Sequence, residues 1–221
     1  YGKGLADVYE AAVKAHGITV TTVASHEEGK ADYSSEVATL ASAGGDAVAV
    51  LGYLDQGGGM IIQGSLDAGS FDTFVLSDGM IGDSLTDRFG DDLNKSFGSL
   101  PGSTGAGAST FADVASAAGI DSSGPYTGES YDAAALLVLA MQAGGSADRA
   151  SIQKNVMAVA NGPGTKIYPG ELKKALDLLS EGKEIDYEGA TAVNFTEVGE
   201  AFGSFLEKEI NGGKFSTKKQ R

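Results

Sequence analysis

The sequence predicts an α/β fold, a parallel β-sheet with helices on both faces in three αβα layers. Three observations predict it. Short β-branched or apolar runs alternate with segments of helical periodicity along the first eighty residues. Those runs are continuous rather than alternating, as strands covered on both faces read. Glycines punctuate the segments: 33 of the 221 residues are glycine, about twice the usual share, and they fall between elements rather than in a repeat.

The first element is a helix. After the opening "YGKG", apolar or small residues at Leu5, Val8, Ala12 and Val13 keep near-helical spacing, with Lys3, Asp7, Glu10 and Lys14 opposite. A glycine turn opening a helix is the second half of a strand-turn-helix unit, and each later helix follows its own strand. The expectation is therefore that a strand leads into Tyr1 and that the chain is a fragment. "ITVTTVAS" (Ile18–Ser25) reads as a strand, and "SSEVATLASAGG" as a helix capped by Ser34 and stopped by Gly44 or Gly45. "DAVAVLGY" (Asp46–Tyr53) reads as a buried strand, "LDQGGGMIIQGSLDAG" as a third helix and "FDTFVLSDG" (Phe71–Gly79) as a third strand.

Beyond Gly79 the pattern loosens. A short helix leads into a glycine- and serine-rich passage, then "FADVASAAGI" forms a helix ended by Gly119. The strongly apolar "YDAAALLVLAM" (Tyr131–Met141) follows, then two helices over "SADRASIQKNVMAVANG", with Ser146 as N-cap, and "GELKKALDLLSEGK". Gly212-Gly213 signals a hairpin, and "STKKQR" reads as a frayed tail.

Composition narrows the function. The net charge is −14, with the whole acidic excess in residues 1–145, so a nucleic-acid partner is not expected. The longest apolar run, Ala133–Met141, is too short to span a bilayer. Cysteine is absent, which excludes disulfides and thiolate chemistry. Enzyme motifs fail one by one. His16 and His26 lack triad or metal-ligand spacing and read as surface residues. "GESYD" around Ser130 lacks the final glycine of a nucleophile elbow. "GKGLAD" puts Asp7 where a dinucleotide fingerprint needs glycine, and "NGGKF" puts Phe215 where a phosphate loop needs a hydroxyl. No enzyme activity, metal or cofactor is expected.

One constellation is better placed. Parallel α/β sheets bind ligands at the carboxyl ends of their strands. Tyr1, Tyr53 after "VAVLG", and Asp78-Gly79 after "FVLS" would gather there. Two aromatic walls and a carboxylate suit a small ammonium-bearing ligand. Asp78-Gly79 is equally an ordinary turn dipeptide and Tyr53 an ordinary edge aromatic; spacing serves either reading.

The stretch from "YGKGLADVYEAAVKAHG" through "DAVAVLGY", "FVLSDGM", "SSGPYTGESYDAAALLVLAMQAGG" and "DYEGATAVNFTEVGEAFGSF" resembles the branched-chain amino-acid binding proteins in the order and spacing of its blocks. These are extracytoplasmic solute receptors of ABC importers with the type I periplasmic binding protein fold. The resemblance implies two α/β lobes joined by three crossovers. Residues 1–125 would be the second lobe without its first strand, 126–200 a segment of the first lobe, and 201–221 the return and tail. It also implies ligand contacts from Tyr1, Tyr53, Asp78 and Gly79, an amino-acid transport role beside a permease, and a periplasmic or extracytoplasmic location. Asp78 is one methylene shorter than the glutamate common among the amino-acid binders, and Leu54 replaces a polar or aromatic residue. The ligand therefore stays open among an amino acid, an amide or urea-like compound, and an organic acid. Orphaned from its lobe, the Tyr131–Met141 helix would be exposed and could pair two copies. The alternative is a ligand-sensing ectodomain, or an amide sensor, of the same fold in signalling.

Overall fold

A computed structural model describes all 221 residues. In chain order the elements begin α1 (Gly2–Ala15), α2 (Ser34–Ala43), β1 (Val48–Val50), α3 (Gly58–Asp67), β2 (Phe74–Leu76), α4 (Asp83–Phe89) and β3 (Phe97–Pro101). They continue α5 (Ala106–Ala117), α6 (Thr127–Gly144), α7 (Arg149–Ala160), β4 (Thr165–Ile167), α8 (Leu172–Ser180), β5 (Ile185–Tyr187), β6 (Phe205–Asn211) and β7 (Lys214–Gln220). Two compact units result: Tyr1–Leu100 with Glu207–Lys219, and Pro101–Leu206 with Gln220–Arg221.

The first unit holds a parallel-dominated sheet in the order β1-β2-β3-β6-β7. Val48 lies opposite Phe74 and Val75 opposite Phe97, both in parallel register. Val48, Val50, Phe74 and Leu76 are buried from the sheet, with Ile61 and Ile62 of α3 and Leu85 and Phe89 of α4. That is why these strands read as continuous apolar runs. In the second unit β4 and β5 pair in parallel, and α6, α7 and α8 close a core of Leu136, Leu139, Val159, Ile167, Ala175, Ile185 and Tyr187.

Several local expectations need correction. Ile18–Ser25 is extended but pairs with no strand, because no partner lies along its edge. β3 lies in the glycine- and serine-rich passage that gave no strand signal. Its inward positions are Gly98 and Leu100, and a Cβ on Gly98 would fall 2.3 Å from the Leu76 carbonyl oxygen. Close strand approach thus replaced the apolar residue that the pattern needed. The tail from Ser216 to Gln220 is strand rather than frayed, since Gly212 and Gly213, at φ 57° and 67°, close the expected hairpin and carry β7 back along β6. Neither serine caps its helix through its side chain. Ser34 is the first helical residue, its N–H and hydroxyl both donating to Asp32. Ser146 exchanges hydrogen bonds with Asp148, the residue that precedes α7.

Candidate functional site

Tyr1, Tyr53, Asp78 and Gly79 come together in the first unit, at the carboxyl ends of β1 and β2. Tyr1 precedes α1, and Leu5 N–H donates to its carbonyl at 3.1 Å. Gly2 lets this helix start against the sheet: a Cβ there would lie 2.5 Å from the Leu51 carbonyl oxygen. Tyr53 follows β1 directly, in extended conformation, and its carbonyl accepts the N–H groups of Gln56 and Gly58 at the head of α3. Asp78 and Gly79 form the turn after β2. A side chain on Gly79 would meet the Gly52 carbonyl oxygen at 2.5 Å and the Tyr53 ring at 2.8 Å, so only glycine permits the two strand ends to close up.

The tyrosine rings stack with centroids 5.0 Å apart and planes at 29°. They touch each other and form one wall, not the two sides of a slot. The Tyr1 hydroxyl donates to the Asp78 carboxylate. Burial raises the Tyr1 phenol above its ordinary pKa, and the hydrogen bond to Asp78 adds to the rise, with Ser77 and the Gly79 backbone pulling weakly the other way. Tyr1 is still 55% exposed and Tyr53 41%, while Asp78 and Gly79 are half-buried, so the cluster faces water.

Ser77 was not foreseen. It is buried, and its hydroxyl accepts the Gly52 N–H and donates to the Gly52 carbonyl, both at 3.3 Å. This exchange ties the end of β2 to the end of β1, one residue before Asp78 and Tyr53. The only available signal was a polar residue ending "FVLS". His16 is exposed at the end of α1. His26 departs from the surface expectation: it is half-buried and meets Tyr33 edge-on at 5.6 Å. A shallow groove of about 510 Å³ in the second unit, lined by Val138, Met141, Gln142 and Leu176, carries no charged group.

Chemically, the cluster offers a carboxylate and aromatic faces to a cationic or ammonium-bearing solute. No helix is long and apolar enough to cross a membrane.

No protein-family profile matches the chain. Over 95 residues, 42% of its length, it is 33% identical to a chemotactic signal transduction system substrate-binding protein of Halobacterium salinarum, of which that stretch is 23%. All of the chain superposes on a leucine-binding protein from Thermotoga maritima, with TM-score 0.74, 19% identity and 57% of that protein covered. A type 1 periplasmic binding protein from Bordetella pertussis gives TM-score 0.72 at 19% identity, covering 99% of this chain and 58% of that one. An ABC transporter substrate-binding protein from Desulfitobacterium hafniense in complex with leucine gives TM-score 0.55 at 18% identity, covering 98% of this chain and 56% of that one. These relatives are described as binding proteins, not enzymes. The 221 residues therefore carry the fold of the type I periplasmic binding proteins, and span a little over half the length of those solved structures.

Proposed function

We propose that this chain acts in an extracytoplasmic solute-binding receptor, gripping a small amino acid or related compound for delivery to an ABC importer. One observation carries the reading: two phenols and a carboxylate converge at the carboxyl ends of adjacent parallel strands, where α/β sheets take ligands. Asp78 accepts the ligand ammonium, in place of the Tyr1 hydroxyl or beside it. The stacked tyrosine wall covers the ligand's apolar side chain, and Gly79 leaves room for its backbone. In this reading residues 1–125 serve as a second lobe, 126–200 belong to a first lobe, and 201–221 return. Location is periplasmic or extracytoplasmic, and the membrane is met only through a permease.

A charge-assisted hydrogen bond contributes about 1.5–3 kcal/mol when water is excluded. Here the cluster faces water, which weakens the pair. Binding by these 221 residues alone is accordingly weak, in the millimolar range or beyond. Two-dimensional NMR titration with leucine, valine and alanine tests the reading. Shifts centred on Tyr53 and Gly79 are expected; saturable shifts confined to other residues, or none at tens of millimolar ligand, would contradict it. Micromolar calorimetric affinity would overturn the expected weakness.

The Halobacterium relative favours a second reading, in which the same ligand grip informs a chemotaxis transducer rather than an importer. Co-purification of the full receptor with a permease or with a transducer separates the two. The Tyr131–Met141 helix is not left bare as expected, since Ala135, Leu136, Leu139 and Ala140 bury one face of it in the second unit's core; a second copy, the remaining expected partner, would meet it only through the exposed Leu137 and Val138. A strictly monomeric sedimentation profile at high concentration would remove it.

A further inference from the structure

Tyr53 stands on a short turn, Gly52 to Gly57, whose two ends are buried while Tyr53, Asp55 and Gln56 between them are exposed. Ser77 holds this turn from β2, through Gly52. A second hold comes from His26, at the end of the extended segment 18–25, whose ring rests on both ends of the turn. A Cβ at Gly52 would lie 3.4 Å from the His26 Cε1 and 3.7 Å from its Nε2. One at Gly57 would lie 2.9 Å from the His26 Cδ2 and 2.7 Å from Cζ and the hydroxyl of Tyr33. Bare backbone at Gly57, with φ 115°, therefore fills the notch between two rings, and only glycine combines that conformation with that closeness.

His26 is itself backed by a closed loop. Tyr33 meets it edge-on, with ring centroids 5.6 Å apart and planes at 76°, and is 3% exposed. The Tyr33 hydroxyl accepts the Lys30 N–H at 3.1 Å and donates to the Glu27 carbonyl at 3.0 Å, which draws residues 27–33 around their own ring. A weaker strap runs between the same two loops. The Gln56 amide donates to both carboxylate oxygens of Glu28, at 2.9 and 3.0 Å, but both side chains are exposed. The His26 ring makes no hydrogen bond to the protein, so its hold on the turn is one of packing. Tyr1, the other half of the aromatic wall, has different anchors: the start of α1 and the Asp78 carboxylate. Movement of the Gly52–Gly57 turn would thus shift Tyr53 and leave Tyr1 in place.

We propose that His26 is a positioning residue for the ligand face: packed across both ends of the turn, it sets where the Tyr53 phenol stands against Tyr1. The inference rests on the reading of Tyr1, Tyr53 and Asp78 as that face, and adds the residue that holds one half of its wall. A binding wall keeps its geometry only when packing locks the residues that carry it. Removing the ring frees both glycines at once, so the turn swings, the tyrosine stack opens and the ligand's apolar side chain loses its cover. A flat ring of similar size without nitrogens keeps the hold, because no hydrogen bond is at stake.

Three variants test this by NMR: His26→Ala, His26→Phe, and His16→Ala at the exposed end of α1 as control. The free protein is read first, through the nuclear Overhauser contacts between the Tyr1 and Tyr53 rings. They should weaken about threefold or more in His26→Ala, return in His26→Phe and stay unchanged in His16→Ala. The leucine-induced shifts at Tyr53 and Gly79 should follow the same order. Intact ring contacts in His26→Ala, absence of rescue in His26→Phe, or a loss of ring contacts that leaves the leucine response whole each overturns the proposal. A wild type silent to leucine sinks the ligand reading instead, and the ring contacts then decide the role of His26 alone. Should His26→Ala fail to fold, His26→Gln, which keeps length without a flat ring, takes its place with the same expectations.

Discussion

Two tyrosine–aspartate pairs lie in this molecule, one in each compact unit, and their surroundings are opposite. In the second unit Asp132 is 1% exposed and Tyr187 is fully buried. The Asp132 carboxylate accepts hydrogen bonds from the Tyr187 hydroxyl at 2.9 Å, the N–H groups of Ala190 and Thr191 at 2.8 Å, and the Thr191 hydroxyl at 2.7 Å. Every donor comes from β5 or the turn after it, so the acid on α6 pins that turn. Burial, with the Asp132 charge behind it, pushes the Tyr187 phenol far above its ordinary pKa. In the first unit Asp78 accepts from the Tyr1 hydroxyl, but that tyrosine is more than half exposed and the carboxylate is half-buried. The difference is one of exposure. A carboxylate encircled by buried donors has no capacity left for a ligand, whereas one bordered by exposed phenols can exchange a partner with solution.

The comparison breaks most readily at the buried pair. Asp132→Ala strands four donors, those of Tyr187 and Ala190 fully buried, and should cost about 3–5 kcal/mol in urea denaturation. A loss under about 1 kcal/mol would mean that the turn holds without its acid. Next comes Gly79→Ala, whose new methyl meets the Gly52 carbonyl. Separating the strand ends should cost about 1–3 kcal/mol and disturb the Tyr1–Tyr53 stack, seen in the near-ultraviolet circular dichroism. Asp78→Asn should leave stability within about 0.5 kcal/mol, the opposite of Asp132, because water replaces what is removed.

Ionisation sharpens the same contrast. The Tyr1 phenol is raised above 10.0 by burial first and Asp78 second. A raised phenol stabilises the fold fully below that pH, and the contribution fades as pH climbs through the folded-state value. Ultraviolet titration of Asp78→Asn should move the Tyr1 transition part of the way back, since burial persists. The smallest expected effect lies away from both pairs. Lys30 holds the Glu36 carboxyl down from 4.5 to about 2, so the stabilisation from that pair is complete above pH 4.5 and disappears as pH falls toward 2. Glu36→Gln should flatten that acid limb slightly and leave neutral stability little changed.

Much of the first unit was legible because burial on both faces leaves β1 and β2 as unbroken apolar runs. One cause of illegibility is a residue chosen for a neighbour rather than for its own element. Gly98 sits where a strand would show an apolar residue, because the Leu76 backbone is too close for a Cβ. β4 is three residues long with only Ile167 buried, too short for any period to register. Ile18–Ser25 reads as a strand because it is a β-branched run, yet a ladder needs a pairing strand. In the candidate cluster, the neighbourhood of Tyr53 and Asp78 was legible from their place after strand runs. Ser77 was missed because its partners, the Gly52 N–H and carbonyl, are backbone groups that no residue pattern announces. Asp132 was passed over for the same reason, since two of its donors are main-chain N–H groups 58 and 59 residues away.

The central claim, that the Tyr1–Tyr53–Asp78 face recognises a ligand ammonium, is tested most directly by pairing one substitution with one ligand change. Wild type and Asp78→Asn are titrated by NMR with leucine and with N-acetylleucine, which keeps the side chain and loses the ammonium. The account predicts shifts at Tyr53 and Gly79 for leucine on the wild type alone, with both other arms silent. Equal shifts from N-acetylleucine, or undiminished shifts in Asp78→Asn, would contradict it.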